Sequence, residues 1–130
     1  MAAFALSLGY VAAGAVVGAI LRYLLALFFA GYAISFPWGT LAANAIGCAA
    51  IGAITAIAMQ MNAISAEARL FLVTGLCGSL TTLSSVVYET GALVKDSEPA
   101  LASLYLGGTL VVSFAAFYAA NFLALSLIRG

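Results

Sequence analysis

The chain has 130 residues, 66% hydrophobic before its 13 glycines are counted and 6% charged, with four cations matching four carboxylates and no histidine. Soluble domains are about a quarter charged, so this composition excludes a soluble fold and points to a chain whose solvent is lipid. The zero net charge offers no basic surface for nucleic acid, and no Walker loop, zinc motif or catalytic triad is present, which argues against an enzyme.

A hydrocarbon core about 30 Å thick needs roughly 20 helical residues at about 1.5 Å each. Four apolar stretches, at about 4–29, 39–61, 68–94 and 101–128, are long enough and use nearly the whole chain. They predict an all-α integral membrane protein with four transmembrane helices in a single membrane domain over 1–130. The connections 30–38, 62–67 and 95–100 are short and hold turn residues such as Gly31, Pro37 and Pro99. Asp96 and Glu98 in the last of them read as a solvated turn. No cationic region precedes the first stretch, and it is longer than a signal core, so it is expected to be retained. The runs are apolar on every face, which argues against the alternating strands of a membrane barrel.

In the first helix Gly14 and Gly18 form a small-xxx-small face, and Arg22 near its end is expected to snorkel to the nearer surface. The second helix carries Thr40 and Asn44 on one face. In a dry bundle the Asn44 amide either ties helices together or offers its N–H groups to an anion. Gly47 and Gly52 add small positions, and Cys48, like Cys77 in the third helix, reads as a small packing residue.

The third helix holds the densest signal. Gly75 and Gly78 are followed by Ser79, Thr81, Thr82, Ser84 and Ser85, all at mid-membrane depth. Such a run predicts a break, tolerated there only when buried in protein or lining a water-filled cavity, with freed carbonyls able to bind a cation. The alternative is an unbroken helix whose hydroxyls bond back to their own carbonyls. On the fourth helix the Gly107–Gly108 pair is a further small position, and Tyr105, Thr109 and Ser113 recur every four residues. Their hydroxyl stripe, about 12 Å long, either replaces the water shell of a small anion stepwise or makes ordinary interhelical bonds.

Arg69 and Arg129 fall on the side of the N-terminus, Lys95 and Arg22 on the other. Lys and Arg set insertion direction, so two against two gives no strong preference. Either both orientations insert and pair antiparallel, or subtler flanking effects fix one topology. Four helices of this length enclose little pore by themselves, which favours an oligomer.

Several motifs in order now resemble one family, the Fluc (CrcB) fluoride channels, over essentially the full length. They are Gly18-Ala19-Ile20-Leu21-Arg22-Tyr23; Phe36-Pro37-Trp38-Gly39-Thr40-Leu41-Ala42-Ala43-Asn44; Thr74-Gly75-Leu76-Cys77-Gly78 with Leu80-Thr81-Thr82 and Glu89; and the Tyr105/Thr109/Ser113 stripe. The resemblance implies an antiparallel dual-topology homodimer in the cell's inner (plasma) membrane, with two pores lined by both subunits. It implies passive, selective export of fluoride that has entered as HF, relieving its toxicity. By the same resemblance Thr40 and Asn44 line the pore or its vestibule, Tyr105, Thr109 and Ser113 form a polar track, and Arg22 supplies positive potential near a mouth. Glu89 lies close to the pathway, as do Ser84 and Ser85, and backbone carbonyls of Gly78 and Thr81 from both subunits hold a structural sodium ion.

Where relatives of this kind carry two phenylalanines presenting ring edges to fluoride, this chain has Leu83 and Val86, and Ser79 replaces a common glycine. Three readings stay open: a conducting homodimer leaning on hydroxyls, Asn44 and backbone donors; a subunit that needs a family partner to supply the phenylalanines, or that does not conduct; or a channel for another ion. Two rivals are a purely structural membrane subunit and a small multidrug-type transporter. The latter resemblance expects a glutamate in the first helix, where there is none.

Overall fold

The structure is a computed structural model that describes residues 1–31, 36–61 and 64–130. The parts of the expected turns at 32–35 and 62–63 lie outside the described residues. Every regular element among those described is helical. α1 is Ala2–Phe29 and α2 is Trp38–Met61. α3 (66–80) winds in α geometry over Ala66–Arg69, in π geometry over Leu70–Cys77 and in α geometry again over Gly78–Leu80. α4 is Leu83–Lys95 and α5 is Pro99–Arg129. Taken across the junction of α3 and α4, four rods of 28, 23, 30 and 31 residues are long and apolar enough to cross a membrane. The chain is a multi-pass membrane protein.

The distribution of side chains is that of a protein dissolved in lipid. Phe4, Phe28, Val111, Phe122 and Leu127 are exposed, while the buried set is small or polar: Ala43, Asn44, Ala56, Cys77, Ala102 and Thr109 beside Leu80, Val86, Leu93 and Tyr105. Lipid tails are as apolar as leucine, so helices associate through close van der Waals packing and interhelical hydrogen bonds, not by hiding large apolar groups.

Two contacts dominate, α1 on the π segment of α3 and α2 on α5. In the first, Gly14 lies against the Phe71 carbonyl and the Leu76 backbone, and Gly18 against the Leu76 carbonyl. A Cβ on Gly75 would sit 2.6 Å from the Val11 carbonyl and 2.9 Å from Gly14 Cα. In the second, Gly52 abuts the Phe117 backbone, and Asn121 Nδ2 donates to the Gly52 carbonyl at 3.0 Å. The Gly107–Gly108 pair behaves differently from Gly14 and Gly18. A Cβ at either position meets nothing within 4 Å, so among the described residues no other helix approaches there.

The break expected in the third helix lies at Thr81 (φ −80°, ψ 153°) and Thr82 (φ −156°, ψ 121°). The π stretch immediately before it was not expected. There the ladder reaches one residue further than in an α-helix, as when the Gly78 N–H meets the Val73 carbonyl.

Candidate functional site

The site begins with the hydrogen bonds that the break redirects. In an unbroken helix the Gly78 carbonyl would accept from the Thr82 N–H and the Ser79 carbonyl from the Leu83 N–H. Here the Thr82 N–H donates to Asn44 Oδ1 at 2.7 Å, and Arg22 Nε donates to the Ser79 carbonyl at 3.1 Å. Asn44 Nδ2 completes a clamp by donating to the Thr82 carbonyl at 3.2 Å. Thr82 Oγ1 caps α4 by accepting from the Ser85 N–H at 3.2 Å, which removes that donor from the Thr81 carbonyl. The Thr81 N–H and hydroxyl both donate to the Cys77 carbonyl. The carbonyls of Gly78 and Thr81 are thereby released from the helical ladder.

Asn44 thus ties α2 to the break, and it does so with one of its two N–H groups, leaving the other uncommitted to Thr82. Arg22 is half-buried, and its Nε is held at the α3 end of the break by the Ser79 carbonyl.

Glu89, the carboxylate inside the third span, is held from two sides. Thr40 Oγ1 donates to Oε1 at 2.7 Å, and the Tyr105 hydroxyl donates to Oε2. Two donors on one carboxylate offset its desolvation and fix its rotamer. Tyr105 is fully buried, and Phe36 packs on its ring edge-to-face at 5.4 Å between centroids. Arg22, Thr40, Ser85 and Glu89 meet in a pocket of about 300 Å³ between α1, α2 and α4. It adjoins an open vestibule of about 530 Å³ whose walls include Phe36, Trp38, Thr40, Glu89, Asp96 and Glu98. The turn carboxylates Asp96 and Glu98 therefore border this cavity.

On the other side of the break Asn44, Leu83, Val86, Thr109 and Ser113 line a groove of about 390 Å³ that also touches Gly78 and Thr81. Thr109 is 3% exposed, and its Oγ1 makes no hydrogen bond. The Tyr105 hydroxyl one turn away does not meet hydrogen-bond geometry with it, and the phenolic proton is given to Glu89. The hydroxyl stripe of α5 is split accordingly: Tyr105 serves the Glu89 knot, while Thr109 and Ser113 face the groove. Leu83 is 67% exposed, whereas Val86 is 1% exposed and packs with Leu93, Ala102 and Tyr105. Ser84 is exposed, shares a 3.0 Å hydrogen bond with Thr82 Oγ1 and borders neither cavity.

Three contributions were not legible in the sequence. Ser79 and Thr82 stand in the hydroxyl run, but that Ser79 offers its carbonyl to Arg22 and that Thr82 caps α4 were not expected; the position of Thr82 one residue before the α4 run was the available signal. Cys48 lines the groove one turn beyond Asn44, which helical spacing from Asn44 could have flagged.

Comparison with known proteins bears on this arrangement. The profile of the family described as CrcB-like protein, Camphor Resistance (CrcB), matches residues 9–121. A protein of Chlorobaculum tepidum named fluoride-specific ion channel FluC is 42% identical over 114 residues, 88% of this chain and 90% of its own length. Proteins of the same name from Marinobacter nauticus and Agrobacterium fabrum are 43% and 40% identical, covering 92% and 88% of this chain and 94% and 92% of themselves.

Proposed function

Because the chain belongs to the CrcB-like family, we propose that it is a subunit of a fluoride-selective channel, passing fluoride passively out of the cell across the inner membrane. The observation that carries the reading is the groove beside the helix break, where the unpartnered Thr109 hydroxyl, Ser113 and the Asn44 amide gather at mid-span. Fluoride is small and strongly hydrated, and it sheds water only where O–H and N–H donors replace the lost shell. Those three side chains are such donors. Glu89, the one carboxylate that would repel the ion nearby, has both oxygens turned to Thr40 and Tyr105. Arg22 places a positive charge beside the break and offsets that carboxylate further.

A second copy, inserted antiparallel, completes the path in this reading. Gly78, Leu83, Ser84, Val87 and Tyr88 are exposed along one side of the break, and the groove is open there. The released carbonyls of Gly78 and Thr81 suit a sodium ion, a hard cation that takes oxygen ligands and is often held by unwound backbone in membranes. Two carbonyls from each of two copies would hold it, tying the breaks together at the dimer centre.

A second reading has an observation of its own. Leu83 presents an aliphatic side chain where a ring edge would favour an anion, and it is largely exposed within the subunit. A partner from the same family could supply the aromatic groups, making this chain one half of a heterodimer.

Expression in bacteria that lack their own fluoride exporter tests the function as a whole. Growth in fluoride at concentrations that stop the parent strain is the expected outcome. Equal sensitivity, with the protein present in the membrane, would remove the self-sufficient channel.

A further inference from the structure

We propose that Arg22 is a positioning residue: through its Nε it fixes the broken end of α3, and with it the Gly78 and Thr81 carbonyls, in the arrangement that a hard cation such as sodium requires. The inference rests on the sodium reading above. On α1, Gly14, Gly18 and Arg22 recur every four residues and so share one face. That face follows the α3 backbone to its end. Gly14 lies against the Phe71 carbonyl, a Cβ on Gly18 would sit 3.0 Å from the Leu80 nitrogen, and one turn further Arg22 Nε donates to the Ser79 carbonyl at 3.1 Å.

The α3 end needs such a hold. Its own ladder stops there, because the Thr82 N–H is given to Asn44 and the chain turns extended at Thr81. Gly78 has no side chain to anchor its peptide planes, and a Cβ there would meet only the Val73 carbonyl, at 3.6 Å. The Ser79 carbonyl lies one rigid peptide plane from that of Gly78 and two from that of Thr81, so holding it restrains both. A guanidinium also suits the negative end of a helix. Asn44 grips the α4 side in the same way, through both backbone groups of Thr82. Side chains from two neighbouring helices thus hold the break at either end, with Thr81 between them.

Three substitutions separate the donor from the charge. Glutamine carries its side-chain nitrogen on Cδ, as arginine carries Nε, so Arg22→Gln keeps the donor and loses the charge. Arg22→Met fills similar space with no donor, and Arg22→Lys keeps the charge but puts a methylene at the Nε position. Gly52→Ala, whose Cβ would press on the Phe117 backbone about two turns beyond Asn44, is a control for destabilisation alone.

Full-length protein in detergent is read by hydrogen exchange at the Thr81 and Thr82 amides, and by unfolding temperature in sodium chloride against choline chloride. A ligand of the folded state raises that temperature, so the unmodified protein and Arg22→Gln should unfold later in sodium. Arg22→Met and Arg22→Lys should lose most of that difference and exchange the two amides about ten-fold faster. Gly52→Ala should lower both temperatures alike and keep the difference. A sodium effect intact in Arg22→Met, or lost equally in Arg22→Gln, would overturn the proposal. Should Arg22→Met fail to fold, Arg22→Lys carries the same test. If the unmodified protein shows no sodium effect, the sodium reading fails and takes the cation role of Arg22 with it, while the exchange rates still decide whether Arg22 holds the break.

Discussion

At the scale of single residues, Asn44 carries the most. Its amide holds both backbone groups of Thr82 and lines the groove. In Asn44→Asp the bond to the Thr82 N–H survives, but the bond to the Thr82 carbonyl becomes a repulsion and a carboxylate enters the groove. Loss of a hydrogen bond with a buried group left unpaired costs about 1–3 kcal/mol. Fluoride efflux in that variant should fall about ten-fold or more, which is ~1.4 kcal/mol or more on the barrier. Unchanged efflux would take Asn44 out of the pathway. Leu83 and Val86 make a second comparison, because they occupy unlike sites. Leu83→Phe adds a ring at an exposed position, whereas Val86→Phe forces one into a position 1% exposed beside Tyr105. Overpacking costs about 1–3 kcal/mol, so thermal unfolding should show Val86→Phe destabilised and Leu83→Phe near neutral.

The same residues show what the sequence could convey. Thr40, Asn44, Glu89 and Tyr105 stood out as polar groups in apolar helices, and the structure joins them through Glu89 and Thr82. Which of them pair and which stay free was not legible. Asn44 as tie and Asn44 as donor look identical in one dimension, and the split between Tyr105 and Thr109 depends on where α4 places Glu89. The bond from Arg22 to the Ser79 carbonyl was not legible either, because a released carbonyl on a neighbouring helix is invisible until the break is placed.

At the scale of elements, the break announced itself through Gly78 and the hydroxyl run, but the π stretch did not. Leu70–Cys77 reads as an ordinary apolar helix. What accompanies the wider turn is a tertiary contact, the close seating of Gly14 and Gly18 of α1 on its backbone. Glycine to alanine usually stabilises a helix interior by about 1 kcal/mol. At Gly75 the added methyl would press within 2.6 Å of the Val11 carbonyl, a backbone atom that has little room to yield. Gly75→Ala should therefore lower the unfolding temperature, while Gly9→Ala, whose Cβ meets nothing within 4 Å, should leave it equal or raise it. Stabilisation by Gly75→Ala would mean that α1 does not seat on α3 in this way.

At the scale of the whole molecule, the proposed antiparallel pairing of two copies makes a prediction about charge. Arg22 and Lys95 on one side stand against Arg69 and Arg129 on the other, which leaves no strong bias for insertion. Added charge should then decide orientation. Gln60→Lys with Ala66→Lys biases one end of the bundle, and Gly31→Lys with Asp96→Lys biases the other. Antiparallel pairing predicts that either double variant alone loses fluoride resistance in cells and that the two expressed together regain it. Full resistance from each alone would indicate a single topology.

The central claim is that this chain by itself makes a fluoride-selective path, and efflux from liposomes holding only this protein tests it most directly. A fluoride electrode read beside a chloride electrode should report rapid fluoride loss with chloride retained, even though Leu83 and Val86 bring no ring edges to the groove. Retention of both ions, with fluoride efflux appearing only in the Leu83→Phe/Val86→Phe variant or on adding a family partner, would contradict it.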